Sequence, residues 1–223
     1  MKIFAAIAAM LVVAAALAAC SKTYIYRYKV VLEVETPEGI KSGYNVVELS
    51  EYTVKFPHAG VRGSTIGESL YLDLGSGRSP LVTLLTRRKG SAIQPFAPDL
   101  NKLYGGKYEW FGDRNPGLEA MIRYRGAREL SIADLPELVT FSDPKDPKTV
   151  AAVDPNNLEA SFGPGVKWHR MTIEITDERV TTGLEDKLPW LETIGANYLS
   201  GRRTSRGETL AHKLQIWDFS SRS

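Results

Sequence analysis

Residues 24–36, YIYRYKVVLEVET, alternate apolar and polar side chains along most of their length. The side chains expected on one face of an extended chain are Tyr24, Tyr26, Tyr28, Val30, Leu32 and Val34. A period of two with aromatic and β-branched residues predicts a long strand with one buried face. The next residues, Thr36-Pro37-Glu38-Gly39, are typical of a tight turn, and residues 44–56 predict a second strand. We therefore expect an antiparallel hairpin.

Further strands and helices are predicted along the rest of the chain. Strands are predicted over residues 68–74, 80–86, 138–141, 166–176 and 210–219. Helices are predicted over residues 118–130, over 155–162 with Asp154 as the cap, and between Thr182 and Pro189. Residues 87–117 mix Gly, Pro, aromatic and charged residues and predict long loops with one short helix. Because no repeat or compositional break divides the chain, we expect a single α+β domain, mainly antiparallel β-sheet with a few short helices.

The first 19 residues have the layout of a cleavable export signal. Lys2 gives a positive start, residues 3–17 form an apolar run rich in Ala, and small residues precede Cys20. The run is shorter than the roughly 20 apolar residues of a membrane span, which disfavours a transmembrane helix. A secretory signal without lipidation is the second alternative. We expect residues 1–19 to be a signal peptide and residues 20–223 to be the mature domain.

Leu17-Ala18-Ala19-Cys20 resembles the lipobox of bacterial lipoproteins. The resemblance implies that the Cys20 thiol receives a diacylglycerol, that the signal is cut before it and that the new N-terminus is acylated, with palmitate as a fatty acid. Two or three acyl chains hold a protein firmly on a membrane, whereas one chain does not. Ser21 replaces the Asp of inner-membrane retention signals, which implies the periplasmic face of the outer membrane. Because Cys20 is the single cysteine, no thiol remains for a disulfide or a metal site.

Four segments of the mature chain resemble uncharacterised proteobacterial proteins, several of them predicted lipoproteins. The segments are Thr36-Pro37-Glu38-Gly39, Asp154-Pro155, TIEITDE at residues 172–178, and Leu188-Pro189-Trp190-Leu191. The resemblance covers most of the mature chain and implies a single bacterial domain. It implies no activity, cofactor or catalytic residue, because none is assigned to that family.

Histidines are the usual acid–base groups near neutral pH, and the chain has three, His58, His169 and His212. No two of them have the spacing of a metal site, and the sequence has no nucleophile signature. His169 is in phase with Met171 and Ile173 on its predicted strand, which favours a hydrogen-bonded core histidine. His169 and His212 are still the acid–base candidates of the alternative function, a periplasmic hydrolase acting on cell-wall or lipid esters.

Turn chemistry explains the other polar patterns. Asp143, Asp146 and Asp154 lack the ligand ladder and central glycine of a calcium loop. The glycines of residues 60–67 lack the spacing of a phosphate-binding loop. We therefore expect no metal, no cofactor and no recognisable catalytic residue. A net charge of +2 over 223 residues gives no basis for binding nucleic acid.

Two features favour contact with a partner. Arg123, Arg125 and Arg128 form a basic cluster suited to oxyanions, with an ordinary solvated face as the alternative. Trp168 is out of phase with Met171, which predicts an exposed aromatic side chain on the other face of the sheet. The sequence predicts a non-enzymatic binding or accessory module tethered to the outer membrane, with an envelope protein or glycan as partner.

Overall fold

The computed structural model describes residues 22–54, 60–89, 92–96, 111, 114–195, 197–201 and 209–221. The strands within them are β1 (Tyr24–Thr36), β2 (Gly39–Val54), β3 (Gly60–Glu68), β4 (Tyr71–Leu72), β5 (Leu81–Thr83), β6 (Thr86–Lys89), β7 (Ala92–Pro95), β8 (Arg128–Glu129), β9 (Leu138–Phe141), β10 (Val150–Ala152), β11 (Lys167–Thr176) and β12 (Ser220–Ser221). The α-helices within them are α1 (Pro116–Arg123) and α2 (Glu159–Phe162). Short 3₁₀ turns span Ile132–Asp134, Pro147–Thr149, Leu184–Asp186, Pro189–Leu191, Leu210–His212 and Ile216–Asp218. The described chain is thus mostly antiparallel β-sheet with few short helices in a single domain.

The larger sheet of the described residues has the strand order β12-β3-β2-β1-β11-β8. β1 lies inside it and pairs antiparallel with β2, from Thr36 opposite Gly39 to Tyr24 opposite Glu51, and with β11 on its other side. Every second side chain of β1, from Tyr24 to Val34, is buried. One face of the sheet therefore carries the core and the other faces solvent.

A smaller sheet of order β10-β9-β5-β4 forms the middle layer. Leu81 and Leu138 belong to the main core beneath the larger sheet, whereas their neighbours Val82 and Val139 belong to a second core cluster. The smaller sheet is therefore buried on both faces, which explains why all four residues of β9 are buried.

The 3₁₀ turns near the C-terminus cover the outer face of the smaller sheet. Phe141 of β9 lies 5.7 Å from Trp190 and 5.9 Å from Phe219, measured between ring centroids. Trp190 and Phe219 meet edge to face at 5.3 Å. The indole N–H of Trp190 also donates to the Pro144 carbonyl at 3.0 Å, so this buried ring has its polar group paired.

Two buried carboxylates join these layers. Glu68, at the end of β3, accepts a hydrogen bond from the Leu184 backbone N–H at 2.8 Å. Asp218 accepts one from the Gln215 N–H at 2.7 Å and another from the Thr86 hydroxyl. Each carboxylate accepts a hydrogen bond from a backbone N–H at the start of a 3₁₀ turn. Such N–H groups have no partner within the turn, and a carboxylate is a favourable acceptor for them.

The strongest sequence patterns gave correct elements. The strands predicted over residues 24–36 and 138–141 have the predicted bounds, and β11 begins one residue later than predicted. The hairpin of β1 and β2 is also confirmed. Residues 68–74, predicted as one strand, divide between the end of β3 and β4.

The predicted strand over residues 210–219 is wrong. The chain there forms two 3₁₀ turns and reaches an extended strand at β12. The buried residues of this segment are Ala211, Leu214, Gln215, Asp218 and Phe219. Their spacing of three and four is helical and not the period of two that a strand requires.

The predicted helices are shorter than expected. The side chain of Asp154 accepts from the Asn156 N–H at 2.9 Å, which makes a turn and delays the helix until Glu159. Asn115 caps α1 by accepting from the Leu118 N–H at 3.0 Å, and α1 ends at Arg123, before the predicted end at residue 130. The stretch after Thr182 forms two 3₁₀ turns, and Thr182 does not cap them.

We predict that Trp190→Ala lowers the free energy of unfolding by about 3–5 kcal/mol, because it empties the centre of the second core cluster. Trp217→Ala is the matched control, since Trp217 is 45% exposed and Trp190 is 4% exposed. We expect the control to cost less than about 1 kcal/mol. Urea unfolding of residues 20–223, followed by circular dichroism, measures both. Equal losses in the two variants would contradict this account of the core.

Candidate functional site

A β-bulge in β11 decides where Trp168 and His169 lie. Arg170 is opposite Glu33 of β1, and the next pair joins Trp168 to Val34, so His169 is the extra residue. The bulge reverses the alternation that holds from Met171 onward. The predicted faces of both residues are therefore wrong: His169 is exposed, and Trp168 is half-buried against the main core.

His169 is not a core histidine. Its Nδ1 atom lies 3.0 Å from Oε1 of Glu35 on β1, and both side chains are partly exposed. His212 ends a 3₁₀ turn, and its Nδ1 atom lies 2.8 Å from the hydroxyl oxygen of Thr209. Each histidine thus has a hydrogen-bond partner of its own. Their acid–base roles stay predictions, and His58 and Cys20 lie outside the described residues.

The arginine cluster lies at the other end of β11 from Trp168. Arg128 is opposite Ile173, five residues from Trp168, which is about 17 Å along a strand. Arg125 donates to Asp177 at 3.0 Å, beyond the end of β11. Trp168 and these arginines therefore lie apart along β11, and their roles in contact with a partner stay predictions.

Two adjoining cavities form a groove beside Trp168. They have volumes of about 390 Å³ and 450 Å³ and share the lining residues Ile132 and Pro155. The other apolar residues that line them are Ala133, Leu135, Pro136, Leu138, Val139, Ala152, Val153, Leu158, Val166, Trp168 and Leu210. The polar lining residues are Glu137, Asn156, Asn157, Glu159 and Lys167. We call this surface the distal groove.

Local hydrogen bonds set the walls of the distal groove. The turn that carries Ile132 is held by the Ser131 hydroxyl, which donates to the Asp134 carboxylate at 2.6 Å. Glu159 accepts from the Gly165 N–H at 2.8 Å, which ties α2 to the loop before β11. Ile132 is 43% exposed, a large apolar side chain presented at the junction of the two cavities. An exposed aliphatic side chain in an apolar groove is suited to bury apolar surface of a ligand.

Charged side chains on the solvent face of the larger sheet form ion pairs with one another. Arg27 pairs with Glu48 at 2.8 Å, Lys29 pairs with Glu178 at 2.8 Å, and Arg170 pairs with Glu33. Cross-strand ion pairs of this kind are ordinary for an exposed sheet face. Because the distal groove is concave and lined mainly by apolar side chains, we take it as the better candidate for a ligand site.

The turn between β1 and β2 lies at the same end of the sheet as the distal groove. The Arg78 guanidinium donates to both oxygens of Glu38, at 2.9 and 3.1 Å, and Ser76 donates to one of them at 2.9 Å. These hydrogen bonds lower the pKa of Glu38 to about 2 from its ordinary 4.5, and those from Arg78 contribute most. The ring of the preceding Pro37 packs against Gly165. The contact is so close that a Cβ atom at residue 165 would lie 2.9 Å from the proline ring.

No protein-family model, curated protein or solved structure matches this chain. The resemblance to uncharacterised proteobacterial proteins therefore stays a prediction. Among the described residues no helix is long and apolar enough to cross a membrane. The same residues contain no group of three or more His, Cys, Asp or Glu placed to hold a metal ion.

We predict that the Glu38 carboxyl titrates near pH 2 and that Arg78→Gln moves its midpoint toward 4.5, because the charged hydrogen bonds hold the ionised form. With its pKa lowered in the folded state, Glu38 contributes stability above pH 4.5, and this is lost as the pH falls through 2. Carbon-13 NMR of the side-chain carboxyl groups measures the midpoint. A Glu38 midpoint near 4.5 before substitution would show that the ion pair does not hold in solution.

Proposed function

We propose that this protein is a lipid-anchored binding module of the bacterial envelope, with no catalytic role. Acylation of Cys20 tethers it to the outer membrane on the periplasmic side. Its distal groove binds an apolar segment, flanked by basic residues, of a partner protein. The observation that carries the proposal is the groove of aliphatic side chains around Ile132, placed at the end of the sheet remote from the N-terminus.

The length of β1 supports this arrangement. Trp168, at one end of the groove, lies opposite Val34, which is ten residues from Tyr24 at the start of β1. A strand rises about 3.3–3.4 Å per residue, so this separation is about 33 Å. Cys20 precedes Tyr24 by four positions in the sequence. A tether at Cys20 leaves the groove well away from the attachment point and accessible to another protein.

The chemistry of the lining favours a peptide over a glycan. Sugars are commonly held by stacking on aromatic rings, and among the described lining residues Trp168 is the one aromatic side chain. Aliphatic side chains dominate the rest and gain most by burying other apolar groups. Among the described lining residues, the charged ones are two acids, Glu137 and Glu159, and one base, Lys167. This excess of one acid gives a weak preference for basic residues beside the apolar segment, and the apolar contacts supply most of the binding.

A periplasmic hydrolase is the alternative function. His169 with Glu35 and His212 with Thr209 are the pairs that such an enzyme would draw on. Neither histidine is among the lining residues of the distal groove. Because neither histidine side chain lines the groove, we favour the binding function.

We predict that Cys20→Ser abolishes acylation, because the lipobox cysteine thiol is the acceptor of the diacylglycerol. Metabolic labelling with palmitate, followed by membrane fractionation, measures the effect. The wild-type chain should carry label and sediment with membranes, and the variant should lose both properties. Continued labelling and cleavage of the Cys20→Ser chain would overturn the anchor.

We predict that panning a random-peptide library on the mature domain enriches apolar sequences flanked by Lys or Arg. Ile132→Asp should weaken the selected peptides about 10–100-fold, since an interface loses about 1.5–3 kcal/mol when a buried aliphatic side chain is removed. Ile40→Asp is the matched control, because Ile40 is 54% exposed and is not a lining residue. Fluorescence anisotropy with labelled peptides gives the dissociation constants.

Two outcomes of the library experiment would reject the peptide groove. One is enrichment of sequences that bind wild type and Ile132→Asp equally well. The other is the absence of enriched peptides together with retention of the domain on envelope polysaccharide, lost on Trp168→Ala. That second result would assign the groove to a glycan.

A further inference from the structure

The end of the sheet opposite the distal groove carries Tyr24, the first residue of β1, which follows Cys20 by four positions in the sequence. Three residues separate Cys20 from Tyr24, the first residue of β1. A fully extended chain spans at most about 3.3–3.6 Å per residue, so the Cα atoms of Cys20 and Tyr24 lie within roughly 14 Å of each other. A lipid attached at Cys20 would therefore hold this end of the domain near the membrane surface.

Three large apolar side chains are exposed on the segments that meet at this end. Ile25, the second residue of β1, is 60% exposed, and Tyr52, next to the Glu51 that faces Tyr24, is 37% exposed. Phe111 is 64% exposed and forms a backbone bridge with Arg114. We call Ile25, Tyr52 and Phe111 the proximal apolar set.

Hydrogen bonds join α1 and the residues just before it to the start of β1. The Tyr24 hydroxyl donates to Glu119 of α1 at 2.9 Å and accepts from the Asn115 N–H at 3.0 Å. Arg114 also pairs with Glu119, at 3.0 Å. Because these bonds fix α1 and the bridge of Phe111 to Arg114 against the buried side chain of Tyr24, Phe111 lies at the same end of the sheet as Ile25 but on the other side of the sheet.

Among the described residues of these segments the charges are close to balance, with a small positive excess. They comprise the exposed cations Lys22, Arg62 and Arg114 and the carboxylates Glu51 and Glu119. Such a balance adds little attraction to anionic lipids. The apolar side chains would therefore supply most of the contact with a lipid surface. Aromatic rings with a polar edge, such as Tyr52, are favoured at the level of lipid headgroups.

We infer that the proximal apolar set rests on the lipid surface and orients the tethered domain. This inference rests on the proposed anchor at Cys20. The tether keeps these side chains at high effective concentration at the membrane, so contacts too weak to recruit a free domain suffice to orient a tethered one. With the proximal end seated on the lipids, β1 runs away from the membrane and the distal groove faces the periplasm.

Chemical anchoring tests the inference without any cellular acylation. The mature chain is coupled through its single thiol, Cys20, to a maleimide lipid in vesicles of phosphatidylethanolamine and phosphatidylglycerol. The photocrosslinking residue p-benzoyl-phenylalanine replaces Ile25 in one protein and Ile40 in another. These positions are matched, because they are 60% and 54% exposed and lie at opposite ends of the β1–β2 hairpin. Mass spectrometry counts the lipid adducts formed on illumination.

We expect at least about tenfold more lipid adducts at position 25 than at position 40, because only the proximal end reaches the acyl boundary. Replacing Tyr52 and Phe111 by Ser should reduce the adducts at position 25 several-fold while the folded state, followed by circular dichroism, is kept. Equal adducts at both positions, or none at either, would overturn the orientation. Loss of Cys20 acylation in cells would instead reject the anchor, so the two failures are distinguishable.

Discussion

The antiparallel pairing of β1 with both β2 and β11 is the constraint on which the rest of the structure depends. β1 is hydrogen-bonded on both sides, and its inward side chains from Tyr24 to Val34 are part of the main core. A shift of one residue in either pairing would move every one of these side chains to solvent. The smaller sheet packs beneath this face, and the 3₁₀ turns in turn cover the smaller sheet. The packing of the other layers therefore depends on the register of β1.

The sequence predicts those parts of the fold in which burial follows a single period. β1 alternates cleanly and β9 is a short apolar run, and both were predicted to the residue. The segment over residues 210–219 was predicted as a strand although its buried positions have helical spacing, so that error was one of interpretation. The length of α2 depended on whether Asp154 would cap a helix or close a turn. In both cases the carboxylate accepts a hydrogen bond from a backbone N–H two or three residues later, and the sequence does not indicate which of the two forms.

The candidate site was harder to predict because it has no contiguous sequence. The distal groove draws its lining from residues 132–139, 152–159, 166–168 and Leu210, and each segment is unremarkable by itself. The phase of Trp168 relative to Met171 predicts the wrong face, because a bulge that shows only in the pairing with β1 lies between the two residues. The run of Lys167, His169 and Arg170 around one aromatic residue was the available signal. Three polar residues out of alternation indicate that the regular pleat has been interrupted.

The bulge also explains how one strand serves two environments. Without the extra residue, alternation from Met171 would turn His169 inward, where its ring would need a buried hydrogen-bond partner, and would expose Trp168. With it, the indole of Trp168 packs on the core beside the groove, while His169 reaches Glu35 in solvent. A side chain packed in this way loses little rotamer freedom when a ligand binds. Its conformational entropy has already been lost on folding and does not reduce the binding affinity. The same irregularity that defeated the prediction from sequence thus gives the distal groove a preformed wall.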